Sequence, residues 1–331
     1  MQLTPNPVAT WQPTFDRIDE LMNERPDAAL KLCEQVFVES YLWEPALYVR
    51  AAERYGRLMD HLGRAAEARD SLFAAYQAAR DACLPLHEAK LLERLARSFY
   101  TSGEYGQAKR YWTQCIEMDQ TEGDGQTWVL AKVGLAQLSK DGGDRDASMH
   151  MLAQALERAA QSNNAHLVAK VKINQAVILL ECQQHAAAEP LLQEALAICA
   201  NHHLPDYLAE SNLYLGKIAL ENGALDRVDG YLDAGLEAAR QVGFRWCEAH
   251  LLAVQGELYA RKGQMRSALD TVRTAQAIAR ADGFVDMLMH QHHSAAQYAA
   301  ALNDPETELV ERNAACVIEQ FLASSAIDPS R

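Results

Sequence analysis

Residues 246–283 read WCEAHLLAVQGELYARKGQMRSALDTVRTAQAIARADG, and this stretch decides the fold. From Trp246 to Lys262, Leu251, Leu252, Val254, Leu258 and Tyr259 recur at helical spacing. From Met265 to Ala281, Leu269, Val272, Ala275, Ile278 and Ala279 do the same. Gly263 stands between the two runs, where a helix ends in a left-handed residue, and Asp282-Gly283 closes the unit. Two helices of about 17 residues, each about 26 Å long, leave about six residues for both connections.

The unit repeats outward in both directions. Gly63, Gly103, Gly143, Gln183, Gly223, Gly263 and Asn303 follow one another at intervals of 40 residues. Seven residues before each stand Gly56, Ala96, Ala136, Ala176, Gly216, Gly256 and Ala296, and twelve after stand Ala75, Cys115, Ala155, Ala195, Gly235, Ala275 and Ala315. Two antiparallel helices approach closely only where the facing side chains are short, so each helix brings one small residue to the crossing. Beside it come a large residue nine after the turn (Leu72, Trp112, Leu152, Leu192, Leu232, Val272) and mostly alanine five after (Ala68, Ala108, Ser148, Ala188, Val228, Ala268). Self-similarity at this period signals a stacked-repeat architecture. No strand pattern of useful length occurs, so the expected class is all-α.

A helical hairpin with a small residue, a glycine turn, then alanine, a bulky apolar residue and alanine resembles the tetratricopeptide repeat (TPR). The likeness runs from about residue 45 to 320 and is carried by Gly56, Gly63, Ala68, Leu72, Ala75 and their equivalents. The unit is longer than the usual 34 residues of that family and lacks a regular proline at its end. It is similar to long repeats of bacterial regulatory proteins, including peptide-binding response regulators, the sensor region of the maltose-regulon activator and the N-terminal halves of some diguanylate cyclases. The resemblance implies a right-handed superhelical α-solenoid of antiparallel helix pairs whose first helices line a concave, ligand-taking side. The expected organisation is a loose arm over 1–13, a degenerate helix pair over 14–44 with Asp16 in the small-residue column, seven repeats over 45–323 and a loose tail over 324–331. Glu308 and Arg312 in the last pair replace apolar columns, as a solvated cap requires. Beyond that cap the chain shows no cyclase, helix-turn-helix or phosphatase segment, which favours a free adaptor.

A net charge of −14 argues against direct nucleic-acid binding. The sequence has no run of about 18 apolar residues and no secretory leader, so neither a membrane role nor export is expected. Seven cysteines are scattered singly, with Cys115 and Cys199 in small core columns, and read as reduced thiols of a cytoplasmic protein. The GxSxG, HExxH, P-loop and strand-borne GxGxxG signatures are all absent, and no cofactor is implied. Asp141, Asp144 and Asp146 around Gly142-Gly143 lack the closing glutamate of a calcium loop and read as a turn. A remote metal alternative rests on His250, His290 and His293, of which only the last two share a helix face.

Counting back from each turn places the inner surface. Thirteen before stand Arg50, Lys90, Leu130, Lys170, Glu210, His250 and His290; ten before, Glu53, Glu93, Val133, Ile173, Leu213, Ala253 and His293. Six before stand Arg57, Arg97, Gln137, Val177, Lys217, Glu257 and Gln297. A basic N-terminal zone, an apolar middle and a histidine-rich end result. Arg50-Glu53-Arg57 and Lys90-Glu93-Arg97 could be ordinary surface pairs worth a few tenths of a kcal/mol. Each triplet nevertheless leaves one positive charge facing inward, and Lys140 and Lys170 extend the strip. Such walls favour an anionic guest, and arginine grips a carboxylate through paired hydrogen bonds. The expected function is therefore a non-enzymatic, regulatory scaffold for a protein or peptide. An acidic or C-terminal end of the partner meets Arg50, Arg57, Lys90 and Arg97, and its apolar side chains rest on Val133, Ile173, Val177 and Leu213. Tyr100 is expected to face inward as an anchor. Trp43, Trp128 and Trp246 are assigned to packing between repeats. The alternative is a sensor of a signalling peptide or small ligand that controls an output domain. Self-association stays open.

Overall fold

A computed structural model describes residues 7–40, 45–61, 64–122 and 125–326. Gly63 and Trp43 lie outside these residues, as do the first six and last five positions. The described residues form sixteen α-helices and no strand. They run α1 Pro7–Glu24, α2 Pro26–Ser40, α3 Pro45–His61, α4 Arg69–Asp81, α5 Pro85–Thr101, α6 Tyr105–Glu122, α7 Gln126–Asp141 and α8 Arg145–Gln161. After them come α9 Ala165–Glu181, α10 His185–His202, α11 Pro205–Glu221, α12 Leu225–Gln241, α13 Arg245–Arg261, α14 Met265–Ala281, α15 Val285–Ala301 and α16 Pro305–Ala326. A short 3-10 turn, Ala65–Ala68, precedes α4.

Every described residue of the landmark column has a positive φ: Gly103, Gly143, Gly223 and Gly263, and also Gln183 and Asn303. At each turn the amide three residues past the helix reaches back to close the last turn, as in Glu104 N to Phe99 O at 2.9 Å and Gln264 N to Tyr259 O at 2.8 Å. This is the Schellman arrangement, which satisfies the carbonyls that a helix end orphans. A second left-handed column, Cys83, Asn163, His203, Gly243 and Gly283, joins one hairpin to the next at the same period. Of the helices that follow these two kinds of turn, α5, α11 and α16 start on Pro85, Pro205 and Pro305, and α8 and α9 on the side-chain caps Asp144 and Asn164.

The small columns lie where expected. Ala96, Ala176, Ala75, Cys115, Ala155, Ala195, Ala275 and Ala315 are all 0% exposed. Ser148, the one hydroxyl among the alanines five after the turn, is equally buried and donates to the Ala136 carbonyl at 2.7 Å. Trp112 takes the place leucine holds elsewhere, and it is accommodated because Gly134 faces it. A Cβ on Gly134 would lie 2.2 Å from the indole Cε2.

The chain divides into two compact units, Met1–His202 and His203–Arg331. In the first, each hairpin packs on the next, and first helices also touch directly: α3 on α5, α5 on α7 and α7 on α9. The second does the same with α11, α13 and α15. Among the described residues no comparable contact joins successive second helices, so the first helices form the closed side of each unit.

Two boundary expectations are corrected. The arm over 1–13 is not loose throughout, since α1 begins at Pro7, and α16 continues past 323 to Ala326. Asp16 does not sit at a helix crossing. It is exposed and accepts from Gln12, while Phe15 and Ile18 fill the core beside it. The cap α16 pairs Glu308 with Arg312 at 2.7 Å but also exposes Leu309, Val310, Val317 and Phe321.

Candidate functional site

Seven residues, two helical turns, separate the thirteen-before and six-before columns. The residue between them on the same face stands three or four after the first. The structure selects four. Glu93, Val133, Ile173 and Leu213, ten before the turn, are 0–1% exposed. Val133, Ile173 and Leu213 are therefore packed between helices and are not the platform expected for a partner's apolar side chains. Half-buried Arg54, Arg94, Asn174, Tyr214 and Ser294, nine before the turn, hold that face instead. Half-buried Val177 is the expected apolar contact that keeps surface.

In the first unit this shift brings cations together. Glu93 is sealed beneath them, with Arg97 Nη2 at 3.1 Å from one carboxylate oxygen and Arg94 Nε at 3.5 Å from the other. Burial alone raises the Glu93 pKa, but Arg94, Arg97 and Lys170 outweigh it and hold the carboxyl below its usual range. Arg57 has its pKa lowered, by burial first and then by the charge of Arg94. Its side chain is still 48% exposed. Two guanidiniums that disfavour one another, open to solvent on one side, make a place where an added carboxylate relieves repulsion. Across the same face Gln137 donates to Asn174 at 3.1 Å, Asn174 donates to the Lys170 carbonyl, and the buried Gln137 Oε1 has no hydrogen-bond partner. Lys90 is half-buried on α5.

Other expected members are already engaged. Arg50 donates to Gln12 Oε1 at 2.7 Å and lies 4.5 Å from the centre of the Phe15 ring, so α1 covers it. Asp19 of the same helix accepts from Arg54 at 2.6 Å and stands 3.7 Å from Arg57. Lys140 is paired with Glu181 at 2.9 Å and Asp141 at 3.1 Å and does not extend an uncompensated strip. Burial opposes the charge on Lys140, and these carboxylates more than restore it. Tyr100 donates to Asp141 Oδ2 at 2.8 Å while its ring leans on Trp112, which ties α5 to α7. Burial and Asp141 push its phenol pKa up. The sequence reading missed Asp19, Arg54, Arg94 and Asn174. Arg94 had a legible signal, the Arg54/Arg94 recurrence 40 residues apart, whereas the reach of α1 over α3 had none.

No family model matches the chain, and no curated protein does. Solved structures do. A Rap protein complexed with competence and sporulation factor superposes with a TM-score of 0.75 at 16% identity, covering 98% of this chain and 89% of that one. NprR in complex with its cognate peptide NprX gives 0.64 at 15% identity, covering 92% and 89%. A signal-transduction ATPase with a tetratricopeptide repeat sensor from Pyrococcus horikoshii gives 0.56 at 13% identity, covering 93% of this chain and 48% of that one. The fold is a TPR-type solenoid.

In the second unit of this TPR-type solenoid the histidines do not converge. His293 pairs with Glu319 at 2.9 Å and His290 stands 3.8 Å from Asp286. Among the described residues no three His, Cys, Asp or Glu side chains are placed to hold a metal ion. Of the cysteines, Cys33, Cys115, Cys199 and Cys247 are buried, but Cys83, Cys182 and Cys316 are exposed, and all are free thiols. Trp246 stacks on Phe244, and Lys132 and Arg158 each stand over the Trp128 ring.

His250 lies against the Trp246 ring, 4.3 Å between centroids. Burial, Lys217 and His290 push its pKa down from 6.5 to about 3. Above pH 6.5 both folded and unfolded chains carry it neutral; below, only the unfolded chain gains the proton, so stability falls toward pH 3. His250→Gln is expected to remove on the order of 2 kcal/mol of the acid destabilisation seen between pH 7 and pH 4.5. Urea midpoints at the two pH values check this, and parallel losses in wild type and variant would contradict it.

Proposed function

We propose that this chain is a non-enzymatic regulatory scaffold that takes a peptide or protein segment on the first-helix face of its first unit. The observation that carries this is the crowding of Arg57, Arg94, Arg97 and Lys170 over the sealed carboxylate of Glu93. An acidic side chain or C-terminal carboxylate of the partner docks there by charge-assisted hydrogen bonds. Lys90 and Val177 flank the contact, and the Gln137–Asn174 pair supplies amides for the partner's backbone. Solved structures of this fold that hold a cognate peptide support the class of ligand. The setting is a bacterial cytoplasm. No helix among the described residues is long and apolar enough to cross a membrane.

Peptides selected from a random display library against the wild-type protein test this. The double variant Arg94→Glu with Arg97→Glu is expected to weaken the selected peptides at least about a hundredfold, since two lost charged hydrogen bonds at roughly 1.5–3 kcal/mol each total about 3 kcal/mol or more. Selected peptides that bind the folded double variant equally well would rule the site out. The second reading, a sensor driving an output domain, is favoured by the similar fold of a solenoid described as a sensor. It requires that a bound peptide change the activity of a separate or attached partner.

A further inference from the structure

The first-helix face of the second unit carries an open cavity of about 530 Å³ between α11, α13 and α15. That is the size range of sites for small organic ligands, roughly 300–1,000 Å³. Lys217, His250, Glu257, Arg261, Gln297 and Tyr298 supply its polar wall, with Ala253, Val254 and Ala260 between them.

The charges in this wall are unequally committed. Arg261 is consumed within the protein: Nε and Nη2 donate to Glu257, and Nη1 donates to the Leu220 carbonyl at 2.6 Å. His250 is neutral, and its ring is held by Trp246. Lys217 differs. Its Nζ lies over the Tyr214 ring, 5.5 Å from its centre, and no hydrogen bond or ion pair joins it to another described residue. Burial lowers its pKa, and Cys247, Glu221 and Glu257 oppose that only through space. Among the side chains that line the cavity Arg261 and Glu257 cancel one another, so the desolvated Lys217 ammonium is the one net charge on its wall, with Glu221 acting from outside it.

We propose that this cavity binds a small organic acid through a single carboxylate placed on Lys217, with an uncharged body lying over Ala253, Val254 and Ala260. Gln297 and the neutral His250 offer hydrogen bonds to that body. Its residues are none of those in the cation cluster on α3, α5 and α9, and its occupancy does not depend on that reading. A free acid and the C-terminus of a short peptide carry the same group, and the experiment separates them.

Hippurate and its neutral amide, N-benzoylglycinamide, are titrated against the full chain by calorimetry, beside acetyl-Leu-Ala with a free and an amidated C-terminus. At least one acid is expected to bind about tenfold tighter than its amide, the effect of one charge-assisted contact. Lys217→Met should erase the preference, while Lys217→Arg should retain it. Arg94→Glu with Arg97→Glu should leave it unchanged, which distinguishes failure here from failure of the peptide site. Preference for hippurate identifies a free acid, and preference for the dipeptide acid alone identifies a peptide terminus. Equal binding of acid and amide, acid preference that survives in folded Lys217→Met, or no binding of any probe at millimolar concentration overturns the proposal.

Discussion

Gly134→Ala is expected to destabilise the first unit by about 3 kcal/mol, at the upper end of overpacking costs and unusual for so small a change. The added Cβ would lie 2.2, 2.4 and 2.6 Å from Cε2, Cζ2 and Cδ2 of Trp112. These belong to a rigid fused ring that is itself 0% exposed, so neither partner can swing away. Trp112→Leu alone should cost about 2–4 kcal/mol through the cavity it leaves. Part of that loss is offset because the buried indole Nε1 has no hydrogen-bond partner. The double variant restores the leucine found at the equivalent Leu72, Leu152, Leu192 and Leu232 and relieves the overlap. Its loss should fall short of the sum of the single losses by more than about 1 kcal/mol. Urea unfolding of the four proteins gives the coupling, and additive losses would show that the indole does not impose the glycine.

The second large effect is expected at the end of the second unit. Glu311 on α16 accepts from His292 Nδ1 on α15 and from Gln276 Nε2 on α14 at 2.9 Å, and all three side chains are buried. Arg273 approaches its other oxygen at 4.0 Å. Glu311→Ala removes the acceptor that two buried polar groups share, leaves them only their mutual 3.1 Å contact, and should cost about 3 kcal/mol, loosening α16 before the rest of its unit. The triple change Gln276→Leu, His292→Leu and Glu311→Leu should regain most of that loss, because an apolar replacement carries no desolvation penalty. Amide hydrogen exchange along α14, α15 and α16 reads the local effect. A Glu311→Ala protein with unchanged exchange on α16 would show that packing alone holds the last helix.

The candidate site was legible in part. The sequence groups Arg57, Arg97 and Lys170 on one helix face because residues seven apart stay in line over two turns, and in the structure Arg97 and Lys170 act on Glu93 while Arg57 feels Arg94. Val133, Ile173 and Leu213 were misplaced because the residue between them can stand three or four along, and pattern cannot choose when both columns hold apolar and charged residues. Glu93 shows the difficulty most clearly: a glutamate in a charged triplet reads as surface, yet it is sealed under the two arginines it binds. The covering of Arg50 and Arg54 by Gln12, Phe15 and Asp19 depends on how α1 folds back on α3, a contact between residues about 35 apart with no repeat partner to compare.

Hairpin length, the left-handed landmark at each turn and the small residues at each crossing were determined by the sequence alone. Each is a local demand repeated at a constant interval, so the chain states it several times over. Asn303, a residue that tolerates the left-handed region, and Gln183, which does not favour it, adopt the same positive φ as the glycines of their column, so at Gln183 the repeat geometry overrides residue preference. Only the tertiary structure decided which cations remain on an open face. Packing puts the residue nine before the turn, not the one ten before, between the two outer columns of that face, burying Glu93 and leaving Arg94 partly exposed. Pair formation then consumes Arg50, Lys140 and Arg261, while Lys217 faces an open cavity. Charge compensation depends on distances between side chains far apart in sequence, and those distances exist only once the helices have stacked.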